Sequence, residues 1–432
     1  MKKFIYKEKI FIAAVILLHA VWWVISISIG NMHTGDSAEY EQQARNIREH
    51  GSLYAWYWNQ PVDNDYHTWR PPVYGVFLFL CKSLYSSNYF FLFIQNLFSI
   101  GNCILLLYQC LKLPLHLNPR WWLLIGTALF PSWFMIANSI SADTLFLFIL
   151  MVAFTCLQEF LSSGRMSYFV VYNAALILAL FTKPVLLYFW IPNLIFCIYL
   201  FKEKRKVALL ILPLLFPMMA AAWCTRNYVV TGYWHFSSVS HINMVYYNSN
   251  YALMRKFGNE YADSVSTAIL REAHSKVTYA EQVRYKQQRA QEIIRSYPLE
   301  YLYWHIKGSV LLFLEPGRSD WIHYFNTPPA DNGSFSLALD ENGFKGFWQY
   351  SRHFSVSMLL LLTVLGCWNL LLLFLCLKGF WRGRKIVYVQ FLALFFLYIT
   401  IVTGVVGCAR YRLTLYPIML LSACLAIQKR ID

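Results

Sequence analysis

Charge is what this 432-residue chain has least of: only 14% of its residues are Asp, Glu, Lys or Arg. Soluble domains carry roughly a quarter, so a water-facing surface of ordinary size is excluded. Cys-x-x-Cys pairs are missing too. The ten cysteines fall mostly within apolar runs, with Cys408 alone expected near an outer surface, so neither a zinc site nor a disulfide framework is indicated. No internal repeat is visible. Acidic residues are scarcer than basic ones, 22 against 37, which leaves a formal net charge of +15. The basic residues are scattered through short connections and form no basic-aromatic strip, so no nucleic acid is expected as a partner.

What is present is apolar: 58% of the residues are hydrophobic and 18% aromatic. Stretches of spanning length lie near 10–30, 89–111, 121–138, 143–160, 167–182, 184–201, 207–224, 355–377, 386–406 and 411–427. The first follows Lys2, Lys3, Lys7 and Lys9 as a secretion signal would. It is a full span long with no small-x-small cleavage site behind it, so a retained anchor is expected. Residues 73–85 are too short to cross and suit a re-entrant or interfacial segment. The expected fold is an all-α integral membrane protein, a bundle of about ten transmembrane helices. Residues 1–432 form one polytopic domain, with outer loops at 31–72 and 226–352 carrying short interfacial helices and with membrane lipids as its surroundings.

Charge bias sets the topology. With the N-terminus inside, one face collects Lys112, His116, Arg120, Arg165, Lys202, Lys204, Arg205, Lys206, Lys378, Arg382, Arg384, Lys385, Lys429 and Arg430. The other receives Asp36 and Arg70, then Asn138 to Asp143, Lys183, the stretch from Arg226 to His353, and finally Arg410 and Arg412. Ionisable groups at membrane depth are costly and mark binding or catalytic cavities. That outer face is therefore where a site is expected.

Within the first loop, Tyr40, Ala44 and Ile47 predict an amphipathic helix over 37–50, with Gly51 as its stop. Asp36-Ser37-Ala38-Glu39 has capping-box spacing, so Asp36 is open to two roles, a helix cap or a carboxylate free for chemistry. Asp143, at the start of a span, has the same two. In the second loop Thr278-Tyr279-Ala280-Glu281 predicts another capping box. It opens a helix to Ser296 with Ala280, Val283, Ala290 and Ile293 on its inner face. The Arg and Lys residues of 284–295 are expected on a solvated face. Pro298 ends that helix, and 299–314 reads as an interfacial one. Asp331-Asn332-Gly333 and Glu341-Asn342-Gly343 read as turns.

Six groups stand in order along the chain: Gly35-Asp36-Ser37, Arg70-Pro71-Pro72-Val73-Tyr74, Ala142-Asp143-Thr144-Leu145-Phe146, Phe181-Thr182-Lys183-Pro184, Trp223-Cys224-Thr225-Arg226-Asn227-Tyr228 and Ala409-Arg410-Tyr411-Arg412-Leu413. Their order resembles the GT-C glycosyltransferases that use polyprenyl-phosphate sugars. The bacterial branch related to protein O-mannosyltransferases and aminoarabinose transferases is the most similar. Three positions depart from that pattern: Asp143 where glutamate is usual, Lys183 where arginine is frequent, and Thr414 where proline commonly follows.

The resemblance implies an inverting, mannosyltransferase-like hexosyl- or pentosyltransferase in a bacterial inner membrane, its site facing the periplasm. The donor would be a polyprenyl-phosphate-linked sugar, the acceptor a glycan, lipid or protein. Asp36 would act as general base or orienting group. Lys183, Arg226, Arg410 and Arg412 are the cations available for the donor phosphate. Glu39, Arg70, Asp143 and His241 fall to the acceptor or sugar. No metal site or definite cofactor is indicated, and a divalent cation is left open. Two rivals remain. A polysaccharide ligase or polymerase would share the late arginine-bearing loop but lack the early acidic one. A transporter would often show paired halves, which this chain does not.

Overall fold

The computed structural model describes residues 6–115, 118–325 and 335–427, and every regular element among them is helical. Lys2, Lys3, His116, Lys429, Arg430 and the expected turn Asp331-Asn332-Gly333 lie outside the described residues.

Among the described residues, five helices are long and apolar enough to cross a membrane: Lys9–Ile29, Asn88–Leu111, Asp143–Ser163, Ala208–Thr231 and Val356–Arg382. Each matches one of the ten apolar stretches. The other five stretches hold shorter or broken helices, so the ten full crossings expected from hydropathy are not all met by helix length. Proline is part of the reason. The stretch 121–138 divides into Pro119–Ala128 and Ser132–Ala137 at Pro131, and 184–201 opens with a 3-10 turn at Pro184 before Trp190–Lys204 begins. Met166–Leu180, Val387–Thr403 and Tyr416–Ile427 are shorter apolar helices.

The bundle has two chemically different ends. At one, Arg120 pairs with Glu8, Lys112 with Glu159 at 2.8 Å, and Lys206 donates to the Gly164 carbonyl. At the other, Ser37 Oγ donates to Ile140 O at 2.7 Å, Ile140 N to Met32 O at 2.8 Å, and Val73 N to Phe181 O at 3.1 Å. Alternate ends of successive helices thus gather together. That is the arrangement the parity of basic clusters requires.

Asp143–Ser163 is the most buried of the five long helices and packs against Asn88–Leu111 and Met166–Leu180. The chain enters it through non-helical backbone, whose carbonyls need donors where water is scarce. Gln95 Nε2 donates to Ala137 O at 2.9 Å and Ser139 O at 2.7 Å, while Asn96 Nδ2 reaches Asn138 Oδ1 at 2.9 Å. These amides fix the turn that presents Asp143.

The first-loop helix forms over Ser37–His50 and stops at Gly51 in the left-handed region. It packs on Pro72–Leu84, with Tyr40 and Tyr74 rings edge to face at 4.5 Å. Gln43 and Asn46 are buried as well, because their amides serve the loop carbonyls of Leu53, Tyr54 and Trp56.

The late loop is more structured than the sequence suggests. Val239–Asn243, a π-helical turn Met244–Ser249, Asn250–Phe257 and Asn259–His274 join Tyr279–Ser296 around a small core of Val245, Ile269 and Ala290. The Thr278 capping box is present with both of its bonds. Two expectations need correction. Lys286 is buried rather than solvated, because it lies on the Val283–Ala290 stripe and meets Asp65 there. Glu341-Asn342-Gly343 is not a break in the chain, since the helix Phe335–Ser351 runs through it.

Candidate functional site

Five of the residues singled out by their place at span ends converge at one end of the bundle, opposite the Arg120–Glu8 and Lys112–Glu159 pairs. Asp36 follows the first span, and its backbone sits at the N-cap of Ser37–His50, yet its side chain makes no cap bond. Oδ1 instead accepts from Arg70 Nη2 at 2.8 Å, and Oδ2 from Arg410 Nη2 at 2.5 Å. The same Arg410 donates to Asp143 Oδ2 through Nε and Nη2, at 3.0 and 2.9 Å. Lys183 Nζ closes the chain on Asp143 Oδ1 at 2.6 Å. Asp143 is no cap either. Glu39 extends the network, 3.7 Å from Arg70 Nη2.

The site therefore holds three acids against three cations. Their exposure differs in a way that assigns work. The Asp36 side chain is 30% exposed and the Asp143 side chain 2%. Asp143 is sealed beneath Lys183 and Arg410, where it can only hold them. Asp36 opens outward and can meet a substrate. Burial alone would raise the Asp36 carboxyl, but the charges of Arg70 and Arg410 outweigh it and hold the group well below the usual carboxylate range. At Glu39 burial wins over Arg70, and its carboxyl is raised.

Arg412 does not join the other cations. It is fully buried, donates through Nη1 to the carbonyls of Phe313 at 2.6 Å and Glu315 at 2.9 Å, and lies over the Phe130 ring. Residues two apart on a helical turn point to different sides, so Arg410 and Arg412 diverge. Arg226 also stands apart. It lies inside the helix Leu215–Thr231 and bonds His67 O at 3.1 Å and Asn227 Oδ1 at 3.0 Å.

His241 belongs to a second ionic cluster. Its Nε2 donates to Asp65 Oδ1 at 2.8 Å, beside Tyr279 Oη at 2.8 Å, and Lys286 Nζ reaches Oδ2 at 2.9 Å. Among the described residues no group of three or more His, Cys, Asp or Glu side chains is arranged to hold a metal ion.

Two residues that brace these clusters carried little sequence signal. Glu315 accepts from the amides of Gly317, Arg318 and Ala409 at 2.9, 2.9 and 3.2 Å, and so steadies the turn that bears Arg410. Nothing in Glu315-Pro316-Gly317 announces this. Lys286 did leave a trace, since it sits between Val283 and Ala290 at helical spacing.

Fold and site together define a multi-pass helical membrane protein with a shared-ion centre at one end of its bundle. No protein-family model and no curated protein matches the chain. Solved structures do. ArnT from Cupriavidus metallidurans, bound to undecaprenyl phosphate, aligns at 12% identity and a TM-score of 0.41, over 96% of this chain and 77% of its own. Its apo state aligns over 97% and 78% with the same identity and TM-score. The arabinosyltransferase EmbB from Mycobacterium smegmatis aligns at 12% identity and a TM-score of 0.39, over 97% of this chain but only 40% of its own.

Proposed function

We propose that this chain is an inverting glycosyltransferase of the GT-C kind, which moves a sugar from a polyprenyl-phosphate donor to an acceptor hydroxyl at the outer face of a bacterial inner membrane. The observation that carries the reading is the sharing of Arg410 between an open carboxylate, Asp36, and a sealed one, Asp143.

The chemistry follows from that sharing. The acceptor oxygen attacks the anomeric carbon as Asp36 takes its proton, and the bond from that carbon to the phosphate oxygen breaks with its electron pair leaving on phosphate. One displacement inverts the anomeric configuration. The leaving phosphate is already anionic and needs fixed positive charge rather than an acid. Arg410 and Lys183, braced from below by Asp143, supply it. Arg70 stays on Asp36 and orients it. At rest the two arginines make Asp36 a weak base. A donor phosphate that draws Arg410 toward itself removes one of those charges, so donor binding raises the basicity of Asp36 when it is needed.

The test is transfer in proteoliposomes, using a panel of hexosyl and pentosyl polyprenyl phosphates. Expected is a donor-dependent release of polyprenyl phosphate that Asp36→Asn slows by on the order of 10²-fold or more. A panel with no turnover, combined with solute flux across the same vesicles, would move the reading to a transporter.

A further inference from the structure

Six consecutive backbone carbonyls, from Asp65 to Arg70, are each taken by a donor from another part of the chain, although the segment past His67 has no regular structure. Asp65 O accepts from Ser238 Oγ at 2.6 Å, Tyr66 O from Ala55 N at 3.0 Å, and His67 O from Arg226 Nη1 at 3.1 Å. Thr68 O accepts from Ser238 N at 3.2 Å, Trp69 O from Ser237 Oγ at 2.8 Å, and Arg70 O from Gln43 Nε2 at 3.3 Å. Four of these donors come from residues 226–238, where the helix Leu215–Thr231 runs out into the late loop. Beyond Arg70 the chain enters Pro71 and Pro72, whose rings fix φ, and Pro72–Leu84 begins. Arg70 is thus held from both sides, and its guanidinium leaves the clamp over the Tyr40 ring, 5.0 Å away, to reach Asp36.

The clamp is anchored by the second ionic cluster. The Asp65 carboxylate takes three donors, His241, Tyr279 and Lys286, all from the late loop and all buried. A carboxylate in such a setting is expensive unless every partner is in place. Its position therefore fixes the register between the two outer loops.

We propose that Asp65 and Lys286 are positioning residues for the transfer reaction: they lock the late outer loop onto residues 65–70 and so aim Arg70 at the catalytic carboxylate. This rests on the reading of Asp36 as that carboxylate. It accounts for a lysine buried on the apolar stripe of Tyr279–Ser296, between Val283 and Ala290, and for Arg226, which serves His67 O. Arg70 touches Asp36, whereas Asp65 and Lys286 act only through the clamp.

Lys286→Met and the double variant Asp65→Asn/Lys286→Met test it. A single change strands a buried charge and can cost the fold, whereas joint removal of a buried pair is often close to neutral. The double variant is expected to melt like wild type, yet to lose at least tenfold in kcat with donor KM within about threefold. Amides of residues 63–70 are expected to exchange with deuterium at least tenfold faster, while those of 143–160 keep their wild-type rates. A merely stabilising pair would leave both kcat and local exchange unchanged in the well-folded double variant, and that result overturns the proposal. The exchange measurement needs no substrate. If the wild-type protein transfers no sugar, the proposed function fails, and exchange at 63–70 still decides the clamp.

Discussion

Arg410 and Asp36 are 374 positions apart in the sequence, and their side chains meet at 2.5 Å, Nη2 to Oδ2. The contact ties the turn before the last helix to the loop after the first span, with Asp143 holding the same guanidinium from below. Everything proposed for the chemistry depends on which of these two acids can release the arginine, and exposure favours Asp36.

Asp36→Asn separates the two roles that the sequence left open. A cap would survive this change, because asparagine caps about as well as aspartate, but the Asp36 side chain caps nothing. The variant is expected to stay folded by size exclusion and melting, since Asp143 still pairs Arg410 and Glu39 still faces Arg70. Its kcat is expected to fall by on the order of 10²- to 10⁴-fold, the usual worth of a general base. Near-normal turnover would remove Asp36 from the mechanism.

Arg410 and Arg412 look equivalent in Ala409-Arg410-Tyr411-Arg412, and substitution is expected to tell them apart. Arg410→Lys keeps the charge but loses the fork that spans two carboxylates. Turnover is expected to drop by about 10²-fold, near 3 kcal/mol, with donor use suffering more than acceptor use. Lys183→Met is expected to act in the same direction. Arg412→Gln strips a charged donor from two buried carbonyls and is expected to cost about 3 kcal/mol of stability, with little change in donor KM among the molecules that remain folded. Kinetics with varied donor, read beside melting curves, distinguish the two arginines. Equal donor defects would return Arg412 to the phosphate.

Charge at span ends was enough to find Asp36, Arg70, Asp143, Lys183 and Arg410, because parity alone sends those ends to one face. It was not enough to give direction. Arg412 shares the turn with Arg410 and points into the core, and no pattern in four residues reveals that. His241 was visible as a polar residue of the late loop, but its partner Asp65 lies 176 positions away, and such pairings are written only in the folded chain. The helix breaks at Pro131 and Pro184 escaped a hydropathy reading, which measures how apolar a stretch is and not whether its backbone is continuous.

The helix Pro72–Leu84 is expected to begin and end on the outer side. At about 1.5 Å per residue it rises roughly 20 Å, short of the ~30 Å hydrocarbon core. Its far end is also tied back to the first loop, where Lys82 Nζ meets Glu41 Oε1 at 2.9 Å. Ser37 is buried against Ile140 and makes a poor reporter. Cysteines at His33, Ser86 and Lys276 are expected to react with an impermeant maleimide from outside, and one at Lys202 only after permeabilisation. A Ser86→Cys protein labelled only from the inside would invert every later element and dissolve the common face.

Asp320 gives a pH dependence whose sign can be worked out. Its carboxyl is buried, close to Ser132, Glu315 and the turn that bears Arg410. Burial first, and then the charge of Glu315, push its pKa up to about 7 from an ordinary 3.8. Between those two values the folded chain keeps a proton that the unfolded chain has released. Stability is therefore greatest below the lower value and falls as pH rises toward the upper one. The full effect is on the order of a few kcal/mol. Asp320→Asn cannot ionise, so it is expected to melt higher than wild type at pH 8, with the gap narrowing steadily as pH falls to 4. Melting temperatures of the purified protein across that range decide it. Parallel curves for the two proteins would mean that Asp320 is ionised in the fold, its charge met by Arg412 or Arg410.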